Sequence, residues 1–545
     1  MNEAFWQRPA SPTQLPAWQA LAACAQQLAD TRIDALFSDA QRSQRWTFVH
    51  DGLRLDCSKQ RADENLRQAL LQLAAESGLT EGIAALFAGA AFNFTEGRPA
   101  LHMALRGSTP PPAADAARLH DSAQAMRQLA RRLRNGQQLG STGAPIRHVI
   151  NLGIGGSDLG PRMATEALSP AAQAQAPQVR FVANIDPREL DEALADLDPA
   201  ATLFIVSSKS FTTLETLANA RAARAWLHAH LGPDAELTPH FFAVTQQPEA
   251  AQELGIPPEQ VFAIPAWAGG RFSVWSAVGL PLLIAIGEDA FDALLAGAAS
   301  MDEHFRDAPF EHNLPVMLGL LGIWNINFLG IESLAVMPYA HGLRSFPTWL
   351  QQLDMESNGK HCLIDGSKSI VHTAPLLFGQ AGTLSQHAFH QLLYQGTRQV
   401  AADFIVPVLG HDERARALYE NALAQSAALM LGRDLDAARN LLRQNGASEA
   451  EIEALAPHLV CPGNQPSTTL LLPDLSPATL GGLMALYEHK TFVQGWIWGI
   501  NSFDQYGVEL GKAMARQIAS PETTPPHPST AALLQAIEQM QRSSS

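Results

Sequence analysis

Seven consecutive residues, Ser207-Ser208-Lys209-Ser210-Phe211-Thr212-Thr213, carry five hydroxyls and one ammonium and run straight into a helical pattern. Hydroxyls beside the free N–H groups of a helix start make an anion site, with phosphate as the natural occupant. Capping the helix would need only one such side chain. No GxxxxGK[ST] is present, so the loop is not a P-loop. A glycine-rich loop, Gly153-Ile154-Gly155-Gly156-Ser157-Asp158-Leu159-Gly160, approaches the dinucleotide fingerprint GxGxxG, but Asp158 stands where the third glycine is needed. It reads as well as a tight turn without a ligand. Asp354-Met355-Glu356-Ser357-Asn358-Gly359-Lys360 sets two acids beside a glycine turn. A carboxylate there could act as a general base, although on composition alone the segment reads first as a solvated turn. Gln386-His387-Ala388-Phe389 opens a helical pattern with a histidine, a type that is more often structural when isolated. Gly269-Gly270-Arg271-Phe272-Ser273 lets backbone approach something closely beside a guanidinium, and Lys512 closes Phe503-Asp504-Gln505-Tyr506-Gly507-Val508-Glu509-Leu510-Gly511-Lys512.

The elements that must position these residues alternate. Arg147 to Leu152, Gln178 to Ala183, Ala201 to Val206, His240 to Thr245 and Val261 to Ile264 read as strands, with helices at Pro187 to Leu197 and Leu214 to His228. Such alternation predicts right-handed βαβ crossovers and a parallel sheet covered on both faces. Ligands of such sheets bind beyond the carboxyl ends of the strands, where the glycine loop and the hydroxyl loop both fall. The rhythm returns more loosely with strands at Ile331 to Tyr339, Asp403 to Val408 and Leu470 to Leu472, then a long helical pattern from Ala478 to Ile500. Residues up to about 120 read as mainly helical scaffold without a chemical motif. Four prolines between Ser520 and Thr530 exclude helix or central strand there, and Ala531 to Gln541 reads as a short amphipathic docking arm.

Of the 545 residues 46% are hydrophobic, enough for a sizeable core, so a disordered protein is excluded. Lys and Arg number 37 against 53 Asp and Glu, a net charge of −16, with no basic block. That excludes nucleic acid as a partner, while a small anion can still bind where a few cations converge. The four cysteines, Cys24, Cys57, Cys362 and Cys461, are scattered without a CxxC pair or a metal-ligand cluster. The apolar runs Val274 to Gly287 and Leu314 to Trp324 fall short of the ~18 residues that span a bilayer. With no signal segment at the N-terminus, a soluble cytoplasmic protein is expected, with no membrane partner.

Six blocks, NLGIGGSDLGP, SSKSFTTLET, GGRFSVWSAVG, QQLDMESNGK, SQHAFHQLLYQGT and FDQYGVELGK, occur in one order between Asn151 and Lys512. Together they resemble the glucose-6-phosphate isomerase (phosphoglucose isomerase) family. Departures are small: Ser210 stands where the family usually has Thr, Ala266 and Ala268 where it has an acid and an aliphatic residue, Tyr394 where it often has His, and Tyr506 where it often has Trp.

The resemblance implies an α/β fold of two sugar-isomerase (SIS) domains, each a parallel α/β sandwich. A helical segment 1–120 would pack on the larger domain. Residues 121–287 would be the first SIS domain, 288–513 the second with helical insertions, and 514–545 a C-terminal arm. It implies interconversion of glucose 6-phosphate and fructose 6-phosphate, a step of glycolysis and gluconeogenesis. Ser208, Lys209, Ser210, Phe211, Thr212 and Thr213 would hold the phosphate, with Gly156, Ser157, Gln352 and Gln505 lining the sugar. His387 and Lys512 would move protons during ring opening, with Glu215 orienting the histidine. In the family this histidine comes from the neighbouring subunit, which implies a homodimer with a shared site. Glu356 would carry a proton between C2 and C1 through a cis-enediol, and Arg271 would stabilise the oxyanion. No hydride leaves, so neither nicotinamide nor metal is required. A non-catalytic sugar-phosphate sensor would need the hydroxyl loop without Glu356, His387 and Lys512, and a dehydrogenase would need GxGxxG intact.

Overall fold

The computed structural model describes residues 11–169, 176–520 and 527–544. The chain forms two compact units, Met1–Ser502 and Phe503–Ser545. The first unit is built on eleven strands among the described residues: β1 (Thr47–His50), β2 (Leu53–Asp56), β3 (His148–Leu152), β4 (Gln178–Val182), β5 (Thr202–Ser207), β6 (Phe241–Thr245), β7 (Val261–Ala263), β8 (Ser333–Pro338), β9 (Leu376–Gly379), β10 (Ala401–Pro407) and β11 (Ser467–Leu472).

Strands β3 to β7 form an all-parallel sheet in the order β4-β3-β5-β6-β7. Every residue of β5 and β6 is buried, which explains their continuous apolar runs: helices cover both faces. Asn151 of β3 pairs with Phe181 on one side and Ile205 on the other. The order reverses at this point, β3 being followed by β4 to one side and β5 to the other, so a switch point lies between β3 and β5. Leu159–Leu168, Pro187–Leu194, Leu214–Leu231 and Pro248–Glu253 are the crossover helices.

The second sheet has the order β1-β2-β11-β10-β8-β9, parallel from β11 to β9. At its other edge the hairpin β1–β2 joins antiparallel to β11, with Leu55 opposite Leu470. This hairpin, inside the segment read as mainly helical, was not anticipated. Asp51 and Gly52 both adopt positive φ, 47° and 79°, the two-residue turn for which Asp-Gly between apolar alternations is the strongest local signal. Strand β9 was also not anticipated, being a four-residue edge strand too short for periodicity to show.

The helix Pro477–Trp498 crosses the first unit and is buried almost throughout from Leu480 onward. A second correction concerns Asp354 to Asn358. These residues do not form a turn: the helix Phe346–Gln351 continues through a π-helical turn, Gln352–Glu356, and on to Asn358. Packing of Leu353, Asp354, Ser357 and Asn358 in the interior decides the helix, where local polarity suggested a loop.

The second unit holds the helices Tyr506–Ala519 and Pro528–Ser544. Most of the proline-rich stretch, 521–526, lies outside the described residues; the exclusion of helix up to Thr530 is corrected at Pro528, which opens the last helix, a position where a proline's missing N–H costs nothing. No helix among the described residues is long and apolar enough to cross a membrane.

Candidate active site

Beyond the carboxyl ends of β3 and β5 lie the two loops singled out by composition. The hydroxyl loop is held by Phe211, whose backbone is left-handed (φ 52°) and whose ring joins the hydrophobic core of the first sheet. That anchor leaves Ser210 and Thr212 exposed, their hydroxyls 2.8 Å apart. Ser208 Oγ accepts from the Phe211 N–H at 3.1 Å and lies 3.1 Å from Thr213 Oγ1. Thr213 is the N-cap of Leu214–Leu231, yet its side chain makes no capping bond. The first-turn N–H groups of an 18-residue helix are thus left without a side-chain cap beside a cluster of hydroxyls, which is the arrangement that receives an anion. Glu215 lies in the same first turn. The ring of Phe211 is core, so only its backbone is on offer to a ligand.

Lys209 behaves differently from the reading of its residue type. Its Nζ donates to the carbonyls of Ala266 and Ala268, both at 2.9 Å. Burial lowers its pKa to about 8, with Arg98 lowering it further and Glu96 opposing. The ammonium therefore ties the hydroxyl loop to the segment that leads into Gly269-Gly270-Arg271.

That segment meets the glycine loop. A β-carbon on Gly156 would stand 2.2 Å from the carbonyl of Gly270, so the two backbones approach at a distance only glycine permits. Ser157 is partly exposed beside them, and its carbonyl accepts from Asn151 Nδ2 at 3.0 Å. Gln352 Nε2 lies 3.2 Å from where a β-carbon on Gly155 would be, and Gln352 Oε1 is buried without a hydrogen-bond partner among the described residues. A buried acceptor left open is a group that a ligand hydroxyl would satisfy.

Arg271 is 1% exposed in its side chain and Glu356 21%. Arg271 Nε donates to Ser357 Oγ at 2.5 Å and Nη2 to the Ser502 carbonyl at 2.6 Å, while Nη1 lies 3.5 Å from Glu356 Oε1. A closed cation thus faces a carboxylate that remains partly open. Ser357 and Ser502, neither anticipated from sequence, hold the guanidinium.

His387 is exposed on the 3₁₀ turn Leu384–His387, on the second sheet's side of the chain. Gln505 and Lys512 belong to the second unit: Gln505 precedes the helix Tyr506–Ala519, and Lys512 Nζ is paired with Glu509 at 2.8 Å on its exposed surface. Within the first unit the structure brings together Gly156, Ser157, Gln352, Arg271 and Glu356, and joins Ser208 to Thr213 to the same edge through Lys209. Also missed from sequence were the buried Glu488, His489 and Lys490. Three ionisable residues in succession within the otherwise apolar stretch Ala478 to Ile500 were the available signal.

The family model for phosphoglucose isomerase matches residues 56–534. A glucose-6-phosphate isomerase of Aromatoleum aromaticum is 62% identical over 533 residues, covering 97% of this chain and 98% of that protein. One from Marinomonas sp. is 46% identical, covering 97% of this chain and all of that protein. The crystal structure of a glucose-6-phosphate isomerase from Chlamydia trachomatis superposes with a TM-score of 0.83 at 32% identity, covering 97% of this chain and all of that one.

Proposed function

The chain belongs to the phosphoglucose isomerase family, and from that premise we propose how its own residues divide the work. The activity is interconversion of D-glucose 6-phosphate and D-fructose 6-phosphate, in glycolysis and gluconeogenesis. The observation that carries the assignment of roles is the pairing of a part-open Glu356 with a buried Arg271 beside the switch point of the first sheet.

The substrate phosphate is received by the hydroxyls of Ser208, Ser210, Thr212 and Thr213 and by the uncapped N–H groups of Leu214–Leu231. Lys209 contributes by clamping this loop to the Arg271 segment, and the backbone of Phe211 completes the cradle. Gly156, Ser157, Gln352 and Gln505 line the sugar. His387 and Lys512 pass the protons of ring opening. Glu356 then removes the C2 proton of the open-chain aldose and returns it to C1 through a cis-enediol. Charge that develops on the carbonyl oxygen is met by Arg271, already aligned by Ser357 and Ser502, so no reorganisation is needed at the moment of reaction. Only protons move, so the chemistry asks for no cofactor.

The two sheets support reading 121–287 and 288–513 as two SIS domains, with 1–120 lending a hairpin to the second and 514–545 serving as an arm. The exposure of His387 supports a homodimer in which this residue completes the partner's site, oriented there by Glu215. A phosphorylated metabolite and four free cysteines fit the cytoplasm. Co-expression of Glu356→Gln and His387→Ala chains, each inactive alone, tests the shared site. In a two-fold dimer half the molecules are mixed and each of these has one intact site of two, so about a quarter of parent activity returns. No gain over the separate variants would place Glu356 and His387 in the site of a single chain.

A further inference from the structure

The helix Pro477–Trp498 is apolar except at its middle, where Lys490 is buried. Lys490 Nζ lies 2.5 Å from Asp354 Oδ2, with the two side chains 2% and 0% exposed. Asp354 is in the π-helical turn two residues before Glu356. Two residues after Glu356, Asn358 Nδ2 donates at 3.0 Å to the carbonyl of Thr491, the residue next to Lys490. The same short stretch of one helix therefore grips the Glu356 helix on both flanks. Residues 354 and 358 share a face at this spacing, and residue 356 points to the opposite one. Holding 354 and 358 down thus turns Glu356 out toward Arg271 and the open cleft.

The space for this contact is built. On the facing helix, Leu314–Ile323, a β-carbon at Gly322 would stand 2.2 Å from Gln494 Nε2 and 4.0 Å from Lys490 Cε. Beside the ammonium lies a cavity of about 30 Å³, lined among others by Gln60, Asn325, Asp403, Thr468 and Gln494. Asn325 Oδ1 and Gln494 Oε1 are buried without hydrogen-bond partners among the described residues, so the cavity suits one or two waters. Asp403, which accepts from Tyr487 Oη at 3.0 Å, gives the ammonium a second carboxyl neighbour.

We propose that Lys490, acting through Asp354, is a positioning residue that fixes the direction of the Glu356 carboxylate; this rests on Glu356 being the base. A buried ion pair is weak support for stability, since apolar pairs of similar volume often replace one without loss. What an apolar pair does not supply is a fixed direction, and misplacing a catalytic group by about 1 Å can lower the rate by ~10².

The test is the pair Lys490→Met with Asp354→Leu, measured beside Lys490→Arg and Glu356→Gln. The apolar pair should unfold in one transition near the parent temperature. Its KM and its inhibition by a non-isomerisable sugar phosphate should stay within about twofold, while kcat and solvent hydrogen exchange at C2 both fall by ~10-fold or more. Lys490→Arg keeps the charge and should recover part of that loss. If the apolar pair does not fold, Asp354→Asn carries the test, with kcat reduced at least about threefold and KM unmoved. A folded apolar pair, or Asp354→Asn in its place, with kcat near that of the parent overturns the proposal. An inactive Glu356→Gln beside that result overturns the positioning alone; a Glu356→Gln variant that keeps its kcat overturns the assignment of the base and the positioning with it.

Discussion

At the scale of single residues the site separates a closed charge from an open one. Arg271 gives its donors to Ser357 and Ser502 and stays buried, whereas Glu356 keeps access to the cleft. A phosphate-bearing substrate must be recognised by local donors, because the molecule as a whole is strongly acidic. The hydroxyls of Ser208 and Thr213 would contact phosphate equally before and after the sugar reacts. Ser208→Ala with Thr213→Val should therefore raise KM and leave kcat nearly unchanged. Charge-assisted hydrogen bonds of ~1.5–3 kcal/mol correspond to a rise of roughly tenfold or more per contact. Steady-state kinetics decides it, and an unchanged KM would remove the loop from the site. The identity of these residues was legible in the sequence, because hydroxyl density and a helix start are local properties. The direction of Lys209 was not: its ammonium is drawn to the Ala266 and Ala268 carbonyls, which are distant in the chain.

At the scale of elements, the glycine loop and the Arg271 loop form one joint. Gly156 is needed because the Gly270 carbonyl occupies the place of a side chain. Gly156→Ala must push the loops apart, which moves Arg271 relative to Glu356. Catalysis should fall by ~10² at constant fold, since a displacement of about 1 Å suffices for that loss. Circular dichroism with kcat measurement checks this, and a fully active, folded alanine variant would contradict the joint. The βαβ order was readable from alternating apolar runs, and the second sheet followed from its central strands. The hairpin Thr47–His50 and Leu53–Asp56 was missed despite its Asp51-Gly52 turn, since four-residue strands amid helical composition give little periodicity. The π-helical turn at Gln352–Glu356 was missed for another reason: its Asp354, and Asn358 just beyond it, are paired with Lys490 and Thr491, more than a hundred residues away.

At the scale of the whole molecule, one buried cluster joins four separate stretches of chain. Arg106 Nε donates to Asp302 at 2.6 Å and Nη1 to Glu488 at 2.6 Å, His489 meets Asp302 at 2.6 Å, and Trp275 Nε1 donates to Glu488 at 2.8 Å. Two carboxylates share one guanidinium, and burial pushes Glu488 up to about 7 while Arg106 opposes the shift. The folded value lies above the unfolded one, so below about pH 4.5 both states hold the proton and there is no linkage. As pH rises from about 4.5 to 7 the unfolded chain releases this proton first, and stability falls. Thermal unfolding of Glu488→Gln across pH 4.5 to 8 should show a shallower decline than the parent; parallel curves would mean that Glu488 does not titrate there. Nothing local in residues 100–110 announces this role for Arg106, because its partners are almost 200 and 400 positions away.

The central claim is that Glu356 moves the proton between C2 and C1. Glu356→Gln keeps the side chain's shape and removes the base. Measured with fructose 6-phosphate in labelled water, kcat should fall by ~10²–10⁴, with hydrogen exchange into substrate falling in parallel and inhibitor affinity changed little. Near-normal exchange by the glutamine variant would show that another group carries the proton.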